Sequence, residues 1–176
     1  AAMGDEDIVL ADTGAIKMWM ARLYPTYAPL TCIVSNGLST MAFSLPGAIG
    51  AHLAHPDRKV LAVMGDGSFG FTCGELETIV RRNVPLKMIV FSNSVYGWIK
   101  ASQKTGYDQR YFSVDFNRTH HARVAEAFGV KAWQVENPAD LEGAIKAALM
   151  HDGPALVDVI SQELQDTAVP VSQWMG

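Results

Sequence analysis

Several shortages in this chain each exclude a class of protein. Only two cysteines, Cys32 and Cys73, occur in 176 residues. That is too few for a disulfide framework and fits a reduced compartment, so the cytoplasm is the expected location. Lys and Arg number 14 against 18 Asp and Glu, without clustering, which argues against a nucleic-acid surface. No apolar run approaches the ~18 residues of a membrane span, and no signal-peptide pattern opens the chain, so no membrane role is expected. Internal repeats and low-complexity stretches are absent. The five histidines show no metal-ligand spacing with Cys or acidic partners. The opening "AAMG" has no Met at position 1, which fits a cloning remnant or an excised boundary.

What is present suffices for one core. Hydrophobic residues make up 49% of the chain, and the expected organisation is one domain over 1–160 with a tail over 161–176. In that tail Trp174 and Met175 read as packing residues. "IVLADTG", "TCIVSNG", "KVLAVMGDG", "PLKMIVFSN", "KAWQV" and "PALVDVI" read as strands. The third and fourth are nearly continuous apolar runs, the pattern of parallel strands covered on both faces. A small-residue helix spans "MAFSLPGAIGAHLAHPD", with Pro46 in its first turn. Thr72 and Glu75 have capping-box spacing for a helix through Arg82, and further helices are expected over 119–128 and 138–151. The segment from Ser94 to Phe116 is the least regular. Strands alternating with helices predict an α/β fold, a parallel sheet of about six strands with helices on both faces.

In such sheets ligands lie beyond the carboxyl ends of the strands. Four strand ends here carry polar chemistry: "DTG" at 12–14, "SNG" at 35–37, "GDGS" at 65–68 and "SNS" at 92–94. Gly65 and Gly67 permit close backbone approach around Asp66, while Ser68 and a nearby helix start suit a phosphate. Asp66 and Asn93 are oxygen ligands of the kind Mg²⁺ accepts beside phosphate oxygens and water. One helix and one strand separate them, which brings both to the same rim. "GDG" alone is an ordinary tight turn. The pairing across a βαβ unit carries the specificity.

"GDGS", followed after one helix and one strand by Asn93, resembles the thiamine-diphosphate binding motif. Residues 5–160 resemble the C-terminal, diphosphate-binding domain of the acetolactate synthase-like enzymes, through "SNGLSTMAFSLPGAIGA", "GDGSFGFTCGELETIVRRNVPLKMIVFSNSVYGWIK" and "VAEAFGVKAWQVENPADLEGAIKAAL". The resemblance implies thiamine diphosphate and Mg²⁺ as cofactors. It implies Asp66, Asn93 and the Val95 carbonyl as metal ligands. Gly65, Gly67, Ser68, Tyr96 and Gly97 would then lie at the diphosphate, with Gly14 and Ala15 alongside. Met41 would prop the bent cofactor, and Ser39 would face its aminopyrimidine. Where many relatives have Gly-Gln-His, this chain has Gly14-Ala15-Ile16, so one polar contact is missing. The second asparagine often found after the metal ligand is Ser94.

No catalytic residue is assigned to the chain itself, because the activating glutamate of this family sits on a separate pyrimidine-binding domain or subunit. The implied reaction is decarboxylation of a 2-oxo acid, with or without carboligation, by a homo-oligomer, and the chain alone is expected to be inactive. A β-type subunit of a heteromeric, sulfopyruvate-like decarboxylase and a non-catalytic assembly module are the alternatives. Trp98 and Tyr96 read equally as substrate mouth or as packing, and Lys100 and Gln103 as solvated surface rather than contacts to a substrate carboxylate. Cys73 reads as a buried thiol.

Overall fold

The computed structural model describes residues 3–163. Its strands are β1 (Ile8–Ala11), β2 (Cys32–Val34), β3 (Val60–Gly65), β4 (Lys87–Ser92), β5 (Lys131–Val135) and β6 (Ala155–Ile160). They pair in parallel throughout, in the order β2-β1-β3-β4-β6-β5. The helices are α1 (Ala15–Leu23), α2 (Ser44–Ala54), α3 (Asp66–Thr72), α4 (Glu75–Arg81), α5 (Gly97–Gly106), α6 (His121–Ala127) and α7 (Leu141–Met150). The expected α/β class is the observed one. The tail's Trp174 and Met175 lie outside the described residues.

Alternate side chains of the central strands leave the sheet on opposite faces. Leu10, Met64, Met88, Val90 and Leu156 meet Leu45 of α2, Phe69 of α3, Leu76 and Ile79 of α4 and Ala125 of α6. Val9, Val63, Ile89 and Val157 meet Ile16 and Trp19 of α1 and Ile145 and Ala148 of α7. Both faces are dry, so β3 and β4 show no polar alternation. Each fully buried Leu or Phe contributes about 1.5–3 kcal/mol. At the amino end of the sheet the buried Lys87 ammonium donates to the carbonyl oxygens of His151 and Gly153, the latter at 2.7 Å. This ties the end of α7 to the start of β4, and burial pushes the amine below its usual pKa.

Three local expectations need correction. The helix read from Thr72 is two short helices. Thr72 closes α3, its Oγ1 donating to Ser68 O at 3.3 Å, and α4 starts after Gly74 with no side-chain cap. Because α3 begins at Asp66 itself, only Cys73 and Gly74 remain as linker. Helices α1 and α5 occupy stretches where none was expected. The helix expected over 138–151 opens as a 3₁₀ turn, Pro138–Asp140, capped by Asn137 accepting from Ala139 N at 3.0 Å. Among the described residues, no helix is long and apolar enough to cross a membrane.

The strand order positions the site. From β1 the chain leads out to β2 on one side, and from β3 it leads to β4 on the other. The loops leaving β1 and β3 therefore diverge and open a crevice at the carboxyl ends, a topological switch point.

Candidate functional site

A crevice of about 280 Å³ lies at that switch point. Thr13 to Ile16 line it from the end of β1, Ser39 and Met41 from the end of β2, and Gly65 to Ser68 from the end of β3. Asn93 and Val95 to Ile99 line it from the end of β4. All twelve residues named from the sequence share this wall: Gly14, Ala15, Ser39, Met41, Gly65, Asp66, Gly67, Ser68, Asn93, Val95, Tyr96 and Gly97. Trp98 is there too.

Asp66 is the electrostatic centre. It is 4% exposed, yet no lysine or arginine pairs with it among the described residues. Its Oδ1 accepts from Gly67 N at 2.8 Å, and its Oδ2 accepts from Asn93 N at 2.9 Å and Ser94 N at 2.6 Å. Burial pushes its carboxyl pKa up, and these three N–H groups, with the nearby His121 imidazole, offset the rise in part. Oδ1, with a single donor, keeps acceptor capacity. A buried anion with no lysine or arginine beside it is costly, and a bound cation would relieve that cost. Asn93 sits opposite, its Oδ1 accepting from Val95 N at 3.3 Å, which folds the β4 loop back toward the crevice. Among the described residues, no three His, Cys, Asp or Glu side chains group as a metal site. The oxygen donors here are one carboxylate, one amide and backbone carbonyls, the set Mg²⁺ takes when phosphate and water complete its shell.

The walls approach closely. A Cβ on Gly67 would lie 2.8 Å from Tyr96 Cε1 and 3.2 Å from Met41 Cε, so the loops of β2, β3 and β4 meet at that glycine. Gly14 holds φ at 85°, and Ser39 and Ser94 also lie in the left-handed region at 48° and 59°. Such strained backbone persists only where surrounding structure over-determines it. Ser39 Oγ accepts from Lys17 Nζ at 2.9 Å and donates to Ser35 O at 3.3 Å. Ala15, Ile16, Trp19 and Phe91 make the remaining wall apolar, with Trp19 and Phe91 edge to face at 6.1 Å.

Other residues fall into place as structure. Asp12, fully buried at the end of β1, accepts from Ser44 N and Ser44 Oγ at 3.1 and 2.9 Å and thereby starts α2. Lys100 is not solvated surface: it pairs with Asp115 at 2.5 Å and Glu163 at 2.8 Å. Gln103 brackets the backbone of Phe112. Cys73 is only partly buried. Thr13, Trp19, Phe91, Ile99 and Ser161 line the crevice without having been singled out. The i, i+3, i+4 spacing of Ile16, Trp19 and Met20 is the signal that marks α1 and its inward face.

Comparison with known proteins follows this geometry. Residues 12–159 match the thiamine pyrophosphate enzyme C-terminal TPP-binding domain. Acetolactate synthase of Bacillus subtilis (strain 168) is 39% identical over 158 residues, covering 90% of this chain and 28% of that protein. The probable acetolactate synthase large subunit of Methanococcus aeolicus is 39% identical over 152 residues, 86% of this chain and 25% of that protein. The acetolactate synthase isozyme 1 large subunit of Escherichia coli (strain K12) is 35% identical over 160 residues, 90% and 28% respectively. The chain thus spans about a quarter of the length of these relatives.

Proposed function

This chain belongs to the thiamine pyrophosphate enzymes, as a C-terminal TPP-binding domain of the acetolactate synthase type, and on that premise we propose that its crevice holds thiamine diphosphate through a Mg²⁺ ion. One observation carries the cation: the Asp66 carboxylate is buried at the crevice wall and, among the described residues, no lysine or arginine pairs with it. Asn93 Oδ1 and the Val95 carbonyl are its companion ligands. Gly67 lets Tyr96 and Met41 close onto the β3 loop, since any side chain there would collide with both, and so sets the shape of the wall that faces the diphosphate. The Ser68 N–H, in the first turn of α3, has no intrahelical acceptor and is available to an anion. Met41 and the strained Ser39 backbone form the support and the facing edge for the organic part of the cofactor. Trp19 and Phe91 exclude water from that wall.

When bound, thiamine diphosphate supplies an ylid and an electron sink for carbanion chemistry. This chain contributes the anchor: it binds and orients, while Glu75 and Glu77, in the first turn of α4, do not line the crevice. The activating carboxylate then comes from a pyrimidine-binding domain or subunit. The exposed apolar rim agrees with such a partner, Leu38 being 97% and Ile99 48% exposed. With it the assembly acts on a 2-oxo acid, by decarboxylation with or without carboligation, and the chain alone does not turn over.

Titration calorimetry of thiamine diphosphate with and without Mg²⁺ tests the reading. Binding is expected to require the cation and to vanish in Asp66→Ala while the circular dichroism spectrum is unchanged. Equal affinity in parent and variant, or no Mg²⁺-dependent heat at millimolar cofactor even with the partner domain added, refutes it. The second result would favour an assembly module that keeps only the fold.

A further inference from the structure

Behind the crevice, on the sheet face otherwise packed with Phe69, Met88, Val90 and Leu156, lies a buried polar trio. Asp158 of β6 is 0% exposed, Ser92 of β4 4% and His121 of α6 6%. Ser92 Oγ stands 2.5 Å from Asp158 Oδ1 and 2.9 Å from His121 Nδ1. Asp158 Oδ2 accepts from the His121 and Ala122 backbone N–H groups at 3.1 and 3.4 Å.

One proton decides the direction of these bonds. A serine hydroxyl has a single hydrogen, and a carboxylate is only an acceptor. At 2.5 Å from Asp158, Ser92 must donate to the carboxylate. The imidazole therefore carries its hydrogen on Nδ1 and donates to Ser92 Oγ. The chain of donors runs from His121 through Ser92 to Asp158. Every polar atom in it except Nε2 has a defined role, and such a network admits one arrangement rather than several.

His121 touches the end of β4 and helix α3, the two elements that carry Asn93 and Asp66 to the crevice. On one side it holds Ser92, the residue immediately before Asn93. On the other its ring stands edge-on to Phe69, three residues after Asp66, with centroids 5.5 Å apart at 89°. Apolar groups of similar shape would fill this space at no loss of stability, since buried polar networks are at best neutral against good hydrophobic packing. What the trio adds is geometry.

We propose that His121, acting through Ser92 and anchored by Asp158, is a positioning residue that fixes the Asn93 loop relative to Asp66 and so presets the cation site. The inference rests on the cation reading above and adds an outer set of residues to it. Outer partners of metal ligands typically alter metal affinity roughly 10-fold or more.

Mn²⁺ binding in the presence of thiamine diphosphate, followed by loss of the free-ion electron paramagnetic resonance signal, provides a readout independent of turnover. His121→Phe keeps a ring against Phe69 but removes the donor, and is expected to weaken Mn²⁺ roughly 10-fold. His121→Asn keeps a donor near Nδ1 without the ring, and should stay within about threefold of the parent, less than a third of that outer-partner effect. Ser92→Ala should match His121→Phe, and the double variant should be no weaker than either single one, because both cut the same chain. Should His121→Phe fail to fold, Ser92→Ala against His121→Asn makes the same comparison. Parent-like affinity in His121→Phe or Ser92→Ala overturns the proposal, as does weaker binding by His121→Asn than by His121→Phe, or additive losses in the double variant. A parent that binds no Mn²⁺ with the cofactor, even with the partner domain added, overturns the cation reading and this one together. A binding parent matched by its variants overturns this one alone.

Discussion

Adding one methyl group at Gly67 probes the crevice more cleanly than removing a ligand. The new Cβ in Gly67→Ala would sit 2.8 Å from Tyr96 Cε1, 3.1 Å from Tyr96 Cδ1 and 3.2 Å from Met41 Cε. Met41 is flexible and can turn aside. Tyr96 cannot easily do so, because its N–H is bonded to Val114 O at 2.9 Å and its ring packs on Phe116 at 5.1 Å. Restoring an ordinary contact near 3.4 Å moves the ring by about 0.6 Å. Overpacking of this kind costs about 1–3 kcal/mol. Alanine in α3 recovers up to about 1 kcal/mol of helix propensity. The net loss is about 0–3 kcal/mol, and at about 2–4 °C per kcal/mol the midpoint falls by no more than about 12 °C. Cofactor affinity is the sharper readout, since Tyr96 and Met41, the two side chains the methyl displaces, both line the crevice. A drop of at least about tenfold, about 1.4 kcal/mol, is expected by calorimetry with Mg²⁺. Gly70→Ala is the control: same helix, but nothing lies within 4 Å of its Cβ, so stability should rise slightly and binding stay constant. If Gly67→Ala binds as well as Gly70→Ala, the crevice does not hold the cofactor at this loop.

Two further predictions concern the fold around the site. Gly47 lets α2 lie against β1, and a Cβ there would come within 2.9 Å of Leu10 Cδ2, so Gly47→Ala should lower the urea midpoint by an amount equivalent to about 1–3 kcal/mol; an unchanged midpoint would mean that Leu10 repacks freely. Asp158 titrates with a definite sign: burial alone would push its carboxyl up, but the His121 imidazole and Ser92 hydroxyl hold it below the usual range. With the folded pKa depressed, its stabilisation is complete above the unfolded value near 4 and is lost as the pH falls through the folded value. Asp158→Asn should thus cost about 1.5–3 kcal/mol at pH 7, the range for hydrogen bonds to a charged group, with the difference from the parent shrinking below about pH 4. A gap that is constant down to pH 2 contradicts the assignment.

Where the sequence could be read and where it could not follows physical lines. β3 and β4 were legible because a strand dry on both faces must be apolar along its middle, as "VLAVM" and "MIVF" are. Asp66 and Asn93 stood out because a carboxylate and an amide closing two such strands are expensive to place by accident. Helix α1 was obscured by Gly14, whose φ of 85° makes a sharp entry that reads as a turn. Helix α5 was obscured by composition. "GWIKASQKTG" buries only Ala101, and its first turn is tied down by the Lys100 ion pairs. Lys100 looked like surface for the same reason: both of its partners are distant in sequence.

Local composition by itself determined the alternation of strand and helix, the two dry faces of the sheet and the chemical character of the strand ends, since each is set by neighbours a few residues away. Tertiary structure alone decided that β1 lies beside β3, that β6 separates β4 from β5, and that Ser92, His121 and Asp158 meet behind the crevice. Those placements come from how whole faces bury against one another across tens of residues, and no short window of sequence contains that competition.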